Sequence, residues 1–312
     1  MVRYIIKRFV QVIPVLIGTY LVAFFILRAV PGDPASALVG FSNDVEAYER
    51  VRHQLHLDEP IYLQFLSSLT DLVQGNFGVS ISKQVPVTQL VIPRLAATFT
   101  LLLTALGISL VGGILIGCIT AVKQNSWLDN LSMIATYIAV SVPGFWLGLI
   151  LIIIFSVNLG WLPVLGRGNP PDIQHLILPA LAAAVPTLAS TARLTRASML
   201  EVLSADYVRL AMAKGVRPIN VVFKHALRNA LIPVVTVTGI YLGRMLAGNV
   251  VIEVIFGWPG IGTLLYDAIR FLDYPVIQGG MVFLVFSLVM VNLLIDIIYT
   301  VIDPRIKYLE SR

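Results

Sequence analysis

Six runs of this chain, near residues 9–30, 99–122, 131–159, 176–192, 231–252 and 279–302, are apolar enough and long enough to cross a lipid bilayer. A hydrocarbon core about 30 Å thick needs roughly 20 helical residues at 1.5 Å rise each. Because that core offers no water to backbone N–H and C=O groups, a spanning run must satisfy them itself, which makes these runs helices. Only 12% of the 312 residues are charged, against roughly 25% in a soluble domain. The expected class is therefore an all-α integral membrane protein with six transmembrane helices.

The fourth run is the shortest and carries Pro179 and Pro186. A bundle tolerates both, because neighbouring helices re-satisfy the freed carbonyls. The first run follows Arg3, Lys7 and Arg8 and precedes Ala35-Ser36-Ala37, a pattern shared with cleaved signal peptides. Its apolar stretch exceeds the 7–15 residues of a signal core, which favours an uncleaved anchor.

Lysine and arginine set the orientation. With the N-terminus inside, fourteen of them lie in cytoplasmic segments and six in outer ones. The bias places both termini in the cytoplasm. It also organises the chain as an N-terminal transmembrane helix (1–30), an extracytoplasmic subdomain (31–98), a five-helix core (99–302) and a short tail (303–312). The core includes a cytoplasmic segment at 193–230.

In the subdomain, residues 45–57 and 61–73 read as amphipathic helices. A second outer segment, 253–278, holds Phe256-Gly257-Trp258-Pro259-Gly260-Ile261-Gly262 and Asp273-Tyr274-Pro275. Its turn residues and apolar side chains suggest a segment dipping back against the bundle.

Several chemistries lack their residues. No Gly-x-x-x-x-Gly-Lys-Ser/Thr loop occurs, and the spacing of Gly257, Gly260 and Gly262 is not a dinucleotide fingerprint, so the chain is not expected to bind ATP or another cofactor itself. His53 and His56 sit three apart without further patterned ligands, which reads as a solvated helix face rather than a metal site. His175 and His225 are isolated and support no catalytic arrangement. Cys118 is the single cysteine and lies in an apolar run, so no internal disulfide is available. The net charge of +5 is distributed beside the spans rather than along one aromatic-laced face, which speaks against nucleic acid. An intramembrane enzyme or a secondary transporter remains an open class on residues alone, although no inverted repeat is visible.

Glycines four apart recur at Gly113 and Gly117, Gly144 and Gly148, and Gly239 and Gly243. In membranes such pairs let helix backbones approach, and they read as packing seams. Charges inside spans are costly and face protein or water. Arg244 lies about 20 Å from the cytoplasmic edge of its span and Asp296 about 10 Å from its own, with Asn292 closer to Arg244 in depth. Arg244 and Asn292 are candidates for lining a translocation pathway, a structural clamp being the rival role for Arg244. Asp296 reads as structural.

The most specific segment is 204–233. From Ser198 to Arg217, Met199, Val202, Leu203, Tyr207, Leu210 and Ala211 recur at helical spacing while Glu201, Asp206, Arg209 and Lys214 take the other positions. Gly215 and Pro218 break the helix, and a second helix begins at 221–227. Residues alone leave this a helix, turn and helix on the cytoplasmic surface, compatible with resting on anionic lipid.

These residues resemble the permease subunits of ATP-binding-cassette importers, in the dipeptide and oligopeptide branch. That family's signature begins Glu-Ala-Ala and reaches a Gly four residues after its last Ala. Here the matching positions read Arg209-Leu210-Ala211-Met212-Ala213-Lys214-Gly215, departing at the first two. His225-Ala226-Leu227-Arg228-Asn229-Ala230 followed by Pro233 is usual in the peptide branch. Further landmarks follow in order along nearly the whole chain: Pro31-Gly32-Asp33-Pro34, Gly75-Asn76-Phe77-Gly78, Gly257-Trp258-Pro259-Gly260, Asp273-Tyr274-Pro275 and Asp303-Pro304-Arg305.

The resemblance implies a bacterial inner-membrane importer in which this chain pairs with a second, similar permease. Two cytoplasmic ATP-binding subunits and an extracytoplasmic solute-binding protein complete it, and the cargo is a di- or oligopeptide, or else glutathione, a nickel chelate or an oligosaccharide. Asp206, Tyr207, Arg209, Ala211, Lys214 and Gly215 are the implied contact with the ATPase. No bond of the cargo is made or broken by the chain itself.

Overall fold

A computed structural model describes residues 2–29, 45–54 and 58–302. The described part is helical without a strand, apart from one isolated bridge between Val79 and Pro86. The helices are α1 (Val2–Ala29), α2 (Val45–Gln54), α3 (Ile61–Val73), α4 (Val87–Val122), α5 (Trp127–Ser141), α6 (Gly144–Leu151), α7 (Ile173–Leu203), α8 (Asp206–Ala213), α9 (Arg228–Ile255), α10 (Ile261–Arg270) and α11 (Tyr274–Ile302). Two π-helical turns accompany them: Ile152–Asn158 continues α6, and Val221–Leu227 leads into α9. The landmarks at 31–34 and 303–305, together with His56, lie outside the described residues.

Among the described residues five helices are long and apolar enough to cross a membrane, or six if the bent pair α5–α6 counts as one span. The third run, expected to be one span, turns by 105° between Ser141 and Gly144. Its cause is local. Pro143 has no N–H and disfavours the helical region for the residue before it. Val142 accordingly sits at φ −88°, ψ 125°, and ends α5. The fourth run extends further than its apolar core, because α7 continues to Leu203 with both prolines inside. Within that stretch Ser109 reaches across from α4 and donates to the Ala184 carbonyl at 2.9 Å.

The described residues fall into two compact units. One is drawn from Met1–Thr98 and Pro259–Asp296, the other from Phe99–Trp258 and Ile297–Arg312.

In the first unit, Val87, Val91, Ile261, Leu264, Ala268, Val276 and Ile277 form one buried cluster. α10 is held at its start, where Thr98 Oγ1 accepts the Ile261 N–H at 2.9 Å, and the first residue of α11, Tyr274, donates to the Leu27 carbonyl at 3.0 Å. Two landmark motifs distant in sequence meet here. A Cβ placed on Gly78 would lie 3.4 Å from that of Pro275, and the rings of Phe77 and Phe283 are 4.6 Å apart. The Asp273 carboxylate is buried and accepts from Ser80 Oγ at 2.6 Å, Ser82 Oγ at 2.7 Å and the backbone N–H groups of Ile81 and Ser82 at 3.1 Å. Arg28 lies over the Phe24 ring and donates to Gln64 at 2.7 and 2.9 Å, tying α1 to α3.

The second unit is arranged around α7, which packs against α5, α6 and α9. Its close approach to α4 depends on glycine. A Cβ on Gly117 would fall 2.5 Å from the Ala192 carbonyl oxygen, and one on Gly113 would fall 2.6 Å from Thr191 Cβ. Gly148 presents a similar seam, 2.9 Å from Phe256.

Candidate functional site

α8 is cut off from α7 by a turn at Ser204 and Ala205, so the apolar periodicity from Met199 to Ala211, expected to be one amphipathic helix, belongs to two. Ser204 lets its hydroxyl bond the Glu201 carbonyl at 2.7 Å, and Ala205 adopts an extended conformation at φ −70°, ψ 146°. The chain thereby changes direction before Asp206 opens α8, with the acidic side chain in the first turn where the helix dipole favours it.

The other end of α8 is closed by Gly215. Its φ of +74° is left-handed, and the N–H groups of Gly215 and Val216 bond the carbonyls of Met212 and Ala211 at 3.0 and 3.2 Å. That is a Schellman closure, which glycine adopts without the Cβ penalty. Nothing lies within 4 Å of where a Gly215 side chain would begin, so the requirement is conformational.

Only Val208 of α8 is buried. Tyr207 accepts a hydrogen bond from Asn229 Nδ2 at 2.8 Å, which fastens α8 to the start of α9. Beneath, Cys118, Ala121, Met199, Ala226 and Ala230 form a buried cluster that joins α4, α7 and the π-helical turn. The outer face is left uncovered. Asp206 and Arg209 are exposed and 4.0 Å apart, while Leu210 and Met212 each expose about half of their surface at 56% and 51%. Lys214 is exposed and Ala211 half-buried. All six residues singled out in this segment thus belong to one short helix and its closing turn.

Arg244 lies elsewhere, on α9, where it lines a cavity of about 480 Å³ between α7, α9 and the bend of α5–α6. Asn292 is an exposed residue of α11 and falls in the other unit. Asn249 also lines the cavity and went unnoticed in the sequence. Its signal was available, since it is an amide set between apolar Leu246 and Val251. His53 pairs with Asp58 at 2.9 Å on an exposed surface, and no cluster of three metal-ligating side chains occurs among the described residues.

Comparison with known proteins places the chain. Residues 113–308 match the family described as binding-protein-dependent transport system inner membrane component, and residues 1–102 match that system's N-terminal membrane component. The chain is 41% identical to a dipeptide transport system permease protein of Alkalihalophilus pseudofirmus, over 99% of this chain and 100% of that protein. It is 42% identical to a glutathione transport system permease protein of Escherichia coli K12, again over 99% and 100%. A solved methionine ABC transporter in an inward-facing form shares the fold at a TM-score of 0.57 and 18% identity, over 69% of this chain and 97% of that one. The chain belongs to the binding-protein-dependent transport system inner membrane component family.

Proposed function

We propose that this family member is one of two permease subunits of an ATP-driven importer of short peptides in a bacterial inner membrane, with both termini in the cytoplasm. It forms the pathway together with a similar permease. A solute-binding protein delivers cargo from outside, and two ATP-binding subunits drive the cycle from inside. The observation that carries the reading is α8: a two-turn helix with one buried anchor, a glycine-closed end and an uncovered face combining Arg209, Leu210 and Met212.

A surface of that kind suits a cleft in a cytoplasmic ATPase. Asp206, Tyr207, Arg209, Ala211, Lys214 and Gly215 are its contact residues, and the cluster around Met199 and Ala226 is the route by which movement of α8 reaches α4, α7 and α9. ATPase closure then alternates access to the pathway.

Peptide cargo is supported by the named relatives, one for dipeptide and one for glutathione, at nearly equal identity. Glutathione, itself a modified tripeptide, is the second reading. The test is uptake of radiolabelled dialanine and of glutathione by vesicles holding the complete complex. ATP-dependent accumulation of either, abolished when the binding protein is withheld, supports the importer; accumulation without ATP or partners contradicts it.

A further inference from the structure

Among the described residues Arg244 is the single charged one that lines the cavity in the second unit. Arg244 enters it, Ser190 and Tyr241 flank it, and no aspartate or glutamate lines it. Among the described residues no carboxylate lies within ion-pair distance of Arg244. Asn249 is 2% exposed, and its Nδ2 has no hydrogen-bond partner.

A buried donor left unpaired is disfavoured, and native structures pair nearly all of them. Here the residue that carries the unpaired, solvent-closed donor and an arginine line one cavity. Arginine presents a planar fork of donors matched to the two oxygens of a carboxylate. The rest of the lining is largely apolar, with Phe145, Pro186, Met245 and Ile252 among it. A volume near 480 Å³ lies within the roughly 300–1,000 Å³ of small-molecule sites.

We infer that this cavity is a carboxylate site within the membrane part of the protein, with Arg244 and Asn249 holding the C-terminal carboxylate of a short peptide while the apolar lining accepts its side chain. The inference rests on the importer reading and deepens it, since it assigns the permease itself a part in selecting cargo. Arg244 and Asn249 thereby become ligand contacts rather than a structural clamp.

The test uses the assembled complex of this chain, its partner permease and the ATPases in nanodiscs, without binding protein or ATP. Binding of radiolabelled dialanine is compared with that of dialanine amide, which lacks the negative charge. The wild-type complex is expected to favour the carboxylate form at least tenfold. Arg244→Gln is expected to abolish that preference, and Arg244→Lys to keep part of it.

Asn249→Asp is a second variant that preserves volume and places a competing carboxylate in the cavity; it should weaken dialanine binding and leave the amide unaffected. Absence of dialanine binding to the wild-type complex, or equal preference in wild type and Arg244→Gln, overturns the inference. ATP-driven dialanine uptake by vesicles containing the binding protein separates the two levels. If binding is lost in Arg244→Gln but wild type transports no peptide, the carboxylate site stands and the peptide-importer reading fails. If wild type transports and Arg244→Gln transports equally with unchanged preference, the reading stands and the site fails.

Discussion

Arg196 holds Asp129 by two parallel bonds, Nε to Oδ1 at 2.6 Å and Nη2 to Oδ2 at 2.7 Å. The Asp129 side chain is 2% exposed and takes a further bond from the Asn125 N–H at 3.0 Å. This pair joins the first turn of α5 to the end of α7, two turns before the chain breaks into α8. It fixes the platform from which α8 projects.

Removing Arg196 leaves the Asp129 carboxylate buried without its partner, a loss of up to about 3–5 kcal/mol, whereas removing Asp129 leaves a half-buried guanidinium that water reaches in part and costs less. Arg196→Ala and Asp129→Ala should each lower the thermal unfolding midpoint of the purified complex. The double variant should lose clearly less than the sum, because the buried carboxylate is then not left without its partner. Additive losses in a double-mutant cycle would show that the pair does not act as a unit.

The glycine seam gives a contrast within one helix. Gly117→Ala forces a methyl to within 2.5 Å of the Ala192 carbonyl, and backbone cannot yield as a flexible side chain does. Overpacking of this kind costs about 1–3 kcal/mol. Gly107, also on α4, has nothing within 4 Å, and its replacement by Ala should be neutral or stabilising by up to about 1 kcal/mol. Denaturation of the two variants side by side checks the difference, and equal effects would refute the seam.

Asp273 organises the turn before α4 by receiving four donors. Asp273→Ala strands the Ile81 and Ser82 N–H groups. Their hydrogen exchange should quicken at least tenfold while amides around Met199 and Ala226 in the other unit keep their protection. Unchanged exchange at residues 81 and 82 would mean the turn is held by other contacts.

Much of this architecture was legible in the residues, and the misses share a physical cause. The α3 boundaries were readable because Pro60 precedes a helical apolar period that stops before Gly75. The Gly113 and Gly117 seam was readable because small residues four apart fall on one helix face. The 105° break at Pro143 was hidden by apolar residues on both sides, since hydropathy reports burial and not direction. The division of α7 from α8 was missed for a related reason: the apolar period runs through Ser204, and only the turn at Ala205 interrupts it. Partners as far apart as Asp129 and Arg196, or Ser80 and Asp273, carry no local signal. They become visible only when the chain has folded.

If α8 passes ATPase closure to the permease, as proposed, ATP hydrolysis by the reconstituted complex with and without loaded binding protein reads that coupling. Leu210→Asp alters only the exposed face, and Gly215→Leu forces a residue with a Cβ into a left-handed conformation that costs about 1–2 kcal/mol. Both variants are expected to leave the two permeases paired while the stimulated rate falls at least tenfold toward the unstimulated rate. Full stimulation in both variants, accompanied by wild-type cargo uptake, would contradict the assignment of α8 as the ATPase contact.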